Sequence, residues 1–460
     1  MNFSFEHKDT SVQKYIIPLI LGLFISLYFR LTVLESLSLT YFFLYFSYFI
    51  TKLSQKFIIF ELAQLIAIVS WLIGPLPFYH FFTEKNEWAI KWVKFMPVDS
   101  NEYYSFVLPA TIALMFGFHY KTKYDYVLSN TGKYFDIIQI ELNKKRVLGP
   151  LFLSIGILGG LLTPYVPTSL SFVFYLIQKL TYVGLLYIYF IKIPFKNIIL
   201  FSGVGMLVFH SIKEGMFGDL IHIVLLVGSL LISSLHLSFI KKLGIILAGI
   251  YLIFLLQSIK HQYRAIAWNQ GYSINYFFSL VGKRILNPFE ALGEESTLLY
   301  LARVNQGYLI AKTMYHVPKD KPFANGETII KSVAASIVPR FLWTDKPESG
   351  GKYNLLRFWG YKLTRYSMNL GSIGEAYGNF NKFGAVIFMF FYGLTYKLIL
   401  NYILKLTTLS PTWLIWMPFV FLYSIAAETD IVTTTNWLIK SFLFVVLVRF
   451  LFKIIFRVKI

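Results

Sequence analysis

Residues 243–264 read LGIILAGIYLIFLLQSIKHQYR. Positions 243–259 carry no charge, and then Lys260, His261 and Arg264 arrive together. A hydrocarbon core of about 30 Å takes roughly 20 apolar residues in a helix. The run therefore reads as a membrane span, and the residues after it as the start of an extramembrane segment. The same ruler finds eight spans before it, at about 15–33, 36–53, 57–78, 104–120, 147–166, 168–191, 197–212 and 219–238. Three more follow, at about 383–404, 411–427 and 436–456. The expected fold is an all-α polytopic membrane protein of about twelve transmembrane helices. Its parts are a first bundle of about nine spans over 1–259, a large polar loop over 260–382, and three last spans over 383–460.

Composition agrees. Of the 460 residues, 56% are hydrophobic and only 14% charged, against about 25% charged in ordinary globular chains. This excludes a typical soluble enzyme and a disordered chain. The absence of cysteine excludes disulfide frameworks, thiol nucleophiles and Cys-type metal centres. The net charge of +20 is to be sorted by side of the membrane rather than read as nucleic-acid affinity. With the amino terminus inside, the inside segments hold Lys8 and Lys14, Lys52 and Lys56, the 121–146 group, Lys192 and Lys196, Lys241 and Lys242, Lys397 and Lys405, and Lys453, Arg457 and Lys459. The exception is 79–103, with Lys85, Lys91 and Lys94. Both termini are thus expected in the cytoplasm and the 260–382 loop outside, with no cleavable signal peptide at the start.

That loop holds six of the ten arginines: Arg264, Arg284, Arg303, Arg340, Arg357 and Arg365. Lysine suffices for topology, whereas arginine is preferred where a planar fork grips phosphate or carboxylate. The cluster points to an anionic ligand. The alternative is a solvated face paired to the loop's own Glu and Asp. Residues 296–314 read as one helix presenting Arg303, Gln306 and Ile310 on one side. Residues 327–338 form a short amphipathic helix with Ile329, Ile330, Val333, Ala334 and Ile337 on one face. It is suited to the bilayer surface, or else to a packed core, and Pro339 ends it. Arg340 then follows near headgroup level, with Phe341 and Trp343 as anchors. In 366–384, YSMNLGSIGEAYGNFNKFG, glycines allow close backbone approach, and Glu375 sits just before the tenth span. It is a general base or a counter-ion.

Within the spans, Glu61 and Gln64 share a face, as functional groups or as helix contacts. Glu428 and Asp430 leave the eleventh span on the loop's side, where they pair with arginines, bind a cation or act on substrate. His210, His222 and His236 lack ligand-like spacing; His261 and His316 are better placed for proton transfer. No phosphate-binding Gly-Lys-Ser/Thr loop, GxGxxG, HExxH or GxSxG is present. An ATP-driven pump and a zinc protease are thereby disfavoured.

The stretches SIVPRFLWTDKP (336–347) and LGSIGEAYGNFNKFG (370–384), with many spans and one late external loop, resemble the O-antigen polymerase family, the Wzy-type oligosaccharide repeat unit polymerases. The resemblance covers about 300–390. It implies a GT-C-like, metal-independent glycosyltransferase of the bacterial cytoplasmic (inner) membrane that works in lipopolysaccharide or related polysaccharide biosynthesis. Glycan on one undecaprenyl pyrophosphate carrier would pass to an incoming lipid-linked repeat unit at the outer face. By motif position it implies Arg340 and Arg303 for the pyrophosphate, and Glu375, Tyr377 and Asn379 in the site. Arg264, Arg357, Arg365 and Lys346 are further candidate contacts to pyrophosphate or glycan. The candidate bases are Glu375, then Asp430, Glu428 or His316. No metal, cofactor or nucleic acid is expected; lipid-linked glycans, membrane lipids and a chain-length regulator are the expected partners. A twelve-span flippase or transporter, an O-antigen ligase and a membrane acyltransferase are the alternatives.

Overall fold

The computed structural model describes residues 10–167, 170–287, 293–338, 342–343, 345–347, 350–364 and 367–455. Arg340 and Arg365, with Pro339 and Phe341, lie outside the described residues. Among those described, every regular element is helical. Six helices are long and apolar enough to cross a membrane: Val33–Lys52, Ile59–His80, Leu148–Tyr165, Ser171–Phe190, Phe239–Ala267 and Gly371–Leu409. Tyr15–Tyr28 and Gly218–Ile232 are apolar but shorter.

Other segments expected to span are helical too. Ser100–Phe118 opens on Ser100, Asn101 and Glu102. Trp413–Val420 has eight residues, about 12 Å of helix. Ile431–Ile455 carries Lys440, Arg449 and Lys453.

The helices that position the site are labelled in chain order. They begin with α1 Val33–Lys52, α2 Ile59–Ile68, α3 Ser100–Phe118, α4 Gly218–Ile232, α5 Phe239–Ala267 and α6 Ile274–Leu286. They continue with α7 Glu294–Val304, α8 Gly307–His316, α9 Glu327–Ile337, α10 Lys352–Trp359, α11 Gly371–Leu409 and α12 Ile431–Ile455. At the centre α3 and α11 meet backbone to backbone. A Cβ on Gly117 would lie 2.3 Å from the Phe390 carbonyl oxygen, and one on Gly393 would lie 2.7 Å from that of Leu114. Small residues permit such crossings between apolar helices. Phe60 of α2 stacks on Phe118 of α3 at 4.6 Å.

Helix α2 runs into a π-helical turn, Val69–Ile73. The widened turn leaves carbonyls to be satisfied from outside. The hydroxyls of Tyr103 and Tyr104 donate to the Trp71 and Leu72 carbonyls at 2.7 Å each. The Gln306 amide donates to the Ser70 carbonyl at 3.1 Å. This last bond docks the polar segment on the bundle and explains why the expected single helix over 296–314 is two. The chain breaks at Asn305–Gln306, and Asn305 Oδ1 accepts from the Tyr308 amide at 3.0 Å to start α8. Gly307 leaves room for the contact, because a Cβ there would be 2.3 Å from both Pro75 Cγ and the Tyr103 hydroxyl.

Helix α9 matches the expected amphipathic segment. It buries its small side, Thr328, Ser332, Ala335 and Ser336, and turns Ile330, Val333 and Ile337 outward. Outward apolar side chains suit contact with lipid rather than a packed core.

Candidate functional site

The 212–303 region builds a concentration of positive charge at the end of α5. Lys260 and Arg264 lie on the last turns of α5, Arg284 near the end of α6, and Tyr300 and Arg303 on the last turns of α7. A small apolar cluster of Ile212, Phe217, Ile259, Tyr263, Phe277 and Leu280 fastens α6 to α5. The Tyr300 hydroxyl donates to the Ser258 carbonyl at 3.4 Å and ties α7 to α5. The Arg264 guanidinium lies over the Trp268 ring at 4.7 Å, and its Nε donates to the Gly215 carbonyl at 2.7 Å. That leaves its terminal nitrogens for other partners.

Lys260 feels the charges of both Arg264 and Arg303, and Arg264 feels Arg303. Tyr300 feels Arg284 and Arg303. Burial pushes the Arg303 guanidinium below its ordinary range. Arg284 Nε is buried without a hydrogen-bond partner. Among the described residues, no carboxylate forms a salt bridge with any of these four cations. The charge of Glu428 reaches Lys260. Its side chain is 45% exposed, and it lies 3.7 Å from His222 Nε2. Lys260, Arg264 and Arg303 act on one another, and Arg284 acts on the same Tyr300 as Arg303; such a concentration of like charge favours an external anion.

The sequence-derived candidates divide. Arg264, Arg303 and Glu428 come together here; Lys260 and Arg284 join them. Arg357 lies elsewhere: its Nε meets Glu327 Oε2 at 3.1 Å and its other nitrogens bond the Pro322 and Phe323 carbonyls. Glu327 also accepts from Lys331 at 2.6 Å and from the Tyr353 hydroxyl at 2.9 Å. Lys331 first, then Tyr353 and Arg357, hold its carboxyl down at about 2. Lys346 donates to the Ala335 and Val338 carbonyls at 2.9 and 3.1 Å, capping the end of α9. His316 Nδ1 pairs with Asp320 at 2.6 Å.

The GEAYGNF residues are interior. The Tyr377 hydroxyl donates to the Val317 carbonyl at 3.2 Å. Asn379 clamps the start of α9: its Oδ1 accepts from the Gly326 amide at 3.0 Å and its Nδ2 donates to Thr328 Oγ1 at 2.7 Å. Glu375 and Asp430 are 0% and 1% exposed, so neither faces the cation cluster's solvent. Glu61 is paired with Lys56 and lies 3.7 Å from His119. Gln64 bonds the Tyr41 hydroxyl and the Thr111 carbonyl at 3.0 and 2.9 Å. Gln64 bridges α1 and α3, whereas Glu61 pairs with the turn that precedes α2.

Lys260 was missed because it closes an apolar run, where a lysine reads as a boundary marker. Arg284 belongs to the arginine cluster that the sequence assigns to an anionic ligand, without a position of its own in it. The available signal was the i, i+4 spacing of Lys260 and Arg264 on one helix face.

Among the described residues every regular element is a helix, six helices are long and apolar enough to cross a membrane, and basic side chains gather at the end of one of them. The chain belongs to the family described as Domain of unknown function (DUF8712), whose model matches residues 106–407. That range includes the four cations, while Glu428 and Asp430 lie beyond it. No curated protein and no solved structure matches the chain.

Proposed function

We propose that the protein is a membrane glycosyltransferase that polymerises oligosaccharide repeat units carried on a polyprenyl diphosphate such as undecaprenyl pyrophosphate, as the resemblance over 300–390 implies. The observation that carries the reading is the unneutralised cluster of Lys260, Arg264, Arg284 and Arg303 at the end of an apolar helix. A lipid diphosphate has its charge at that depth and its tail in the bilayer. In this reading the chain makes about twelve crossings of a bacterial cytoplasmic membrane in a GT-C-like arrangement. Both termini are inside and the cluster is at the outer face.

The acceptor sugar hydroxyl attacks the anomeric carbon of the donor glycan. The new glycosidic bond forms as the bond to the diphosphate oxygen breaks, and the carrier lipid leaves with its diphosphate. Charge grows on the leaving oxygen, and preorganised guanidinium groups stabilise it; one such donor is typically worth about 10²–10³ in rate. Glu428, half exposed beside Lys260, accepts the hydroxyl proton as general base. The buried Glu375 and Asp430 have no part in this step. Tyr308 and Tyr361, each with the Lys312 ammonium over its ring at 5.5 and 5.2 Å, are the aromatic contacts to glycan in this reading. The outward Ile330, Val333 and Ile337 of α9 hold the catalytic end against the bilayer.

The test is purified full-length protein with lipid-linked repeat units. A glycan ladder and released carrier are expected, and both are lost in R303Q and E428Q variants that still insert and fold. Movement of intact lipid-linked units across a vesicle without a ladder would make the protein a transporter. Transfer to a lipid A core acceptor only would make it a ligase.

A further inference from the structure

Away from the cation cluster, three helices bring buried oxygen atoms together. Helix α11 supplies Glu375 and α12 opens with Asp430. The turn into α10 supplies Gly351 and Asn354, and Thr433 lies on the first turn of α12. Glu375 Oε2 accepts from the Ile431 amide at 3.1 Å, and Asp430 Oδ1 accepts from the Thr433 amide at 3.0 Å. The charge of Asp430 acts on Glu375, and the side chains of Thr328 and Asn354 face Glu375. The Gly351 backbone and the Thr433 side chain face Asp430.

What remains is four buried oxygens with no partner: Glu375 Oε1, Asp430 Oδ2, Asn354 Oδ1 and Thr433 Oγ1. Glu375, Asp430 and Asn354 are 0%, 1% and 2% exposed. Among the described residues, no lysine, arginine or histidine forms a salt bridge with either carboxylate. Native structures rarely leave even one such atom unsatisfied, and an unpaired buried charge is far costlier than an unpaired neutral group. A single shared proton would satisfy one oxygen pair and leave the amide and hydroxyl oxygens orphaned. A hard cation takes several oxygen ligands at once, including carboxylate, amide and hydroxyl oxygens, and completes its shell with water. Two carboxylates bring a charge of −2, which a divalent ion neutralises and a monovalent ion does not.

We propose that Glu375, Asp430, Asn354 and Thr433 form a binding site for one divalent hard cation of the Ca²⁺ or Mg²⁺ class, which joins α10, α11 and α12. The role is structural. It clamps the polar segment onto the last helices and takes no part in the transfer step proposed above, on which it does not depend.

The experiment uses full-length protein in detergent, stripped with EDTA, in equilibrium dialysis against radioactive Ca²⁺ and in thermal unfolding with CaCl2, MgCl2 or NaCl at matched ionic strength. The expected result is one ion bound per chain and a melting temperature raised by CaCl2 or MgCl2 but not by NaCl. E375Q/D430N abolishes both, and N354A, the milder change, weakens binding several-fold while the protein stays folded. Absence of saturable divalent binding to folded wild-type protein overturns the proposal. So does unchanged affinity in folded N354A and E375Q/D430N. Stabilisation by acid alone, with no ion bound, would show that a shared proton fills the place. Loss of the ion with an intact glycan ladder leaves the functional reading standing, and the reverse result leaves the cation site standing.

Discussion

Alanine at Gly117 would test the packing on which the bundle rests. Its Cβ would sit 2.3 Å from the Phe390 carbonyl oxygen, 2.6 Å from the Leu394 nitrogen and 2.9 Å from the Gly393 carbonyl carbon. All three are backbone atoms of α11, so no side chain can swing aside. Ordinary contact begins near 3.4 Å, and the nearest pair must therefore open from 2.3 to about 3.4 Å by moving one helix away from the other. Forcing a methyl group into a packed interior typically costs about 1–3 kcal/mol. Scaling about 2.1 cal/mol/K per residue to this length gives an unfolding entropy of about 1 kcal/mol/K. The melting temperature should then fall by about 1–3 °C. Intrinsic tryptophan fluorescence of the detergent-purified protein reads this directly. Gly228, on α4, has nothing within 4 Å of an added Cβ, so G228A is the matched control and should melt as wild type. Coincident melting curves for G117A and G228A would refute the close crossing of α3 and α11.

Other expectations follow from single contacts. Tyr103→Phe orphans the Trp71 carbonyl of the π-turn and should cost about 1–3 kcal/mol in denaturant unfolding. Y104F should match it, because the Leu72 carbonyl is in the same position. Asp219 accepts from Lys179 at 2.6 Å and from the Tyr175 and Tyr423 hydroxyls. D219N strands a lysine side chain that is only 8% exposed and should destabilise by about 3–5 kcal/mol, whereas D219N with K179M should recover part of that. Glu327 titrates at about 2 when folded against an ordinary 4.5. A depressed carboxyl contributes stability that is complete above its unfolded value and lost as pH falls through the folded one. Wild-type protein should therefore lose stability between about pH 4.5 and 2, and E327Q should lose less over that window.

Much of the fold was legible because hydropathy is a long-range pattern. An apolar run such as 243–259 leaves no other solution, and the α9 amphipathic pattern marked a helix that does turn its isoleucines outward. The count of spans was less legible. Trp413–Val420 breaks early for tertiary reasons, and apolarity alone does not distinguish a crossing helix from a short buried one. The division at Asn305–Gln306 depends on a carbonyl of the π-turn more than two hundred residues earlier, which no local pattern records. At the site, arginine enrichment pointed to the right segment. It could not separate Arg303, which faces other cations, from Arg357, which is neutralised by Glu327, because that difference is made by which helices pack together. Glu375 shows the same limit. Its sequence neighbourhood suggested a surface carboxylate ahead of a span, and packing of α9, α10 and α12 around α11 buries it completely.

Lys260, Arg264, Arg284 and Arg303 are proposed to hold a lipid diphosphate. The direct measurement is equilibrium binding of undecaprenyl diphosphate to the full-length protein in nanodiscs, compared with K260Q, R264Q, R284Q and R303Q variants that keep the wild-type melting temperature. Saturable binding that weakens at least about tenfold with each loss of a charge-assisted contact, and falls with rising salt, is the expected result. Equal affinity across wild type and all four variants would contradict it.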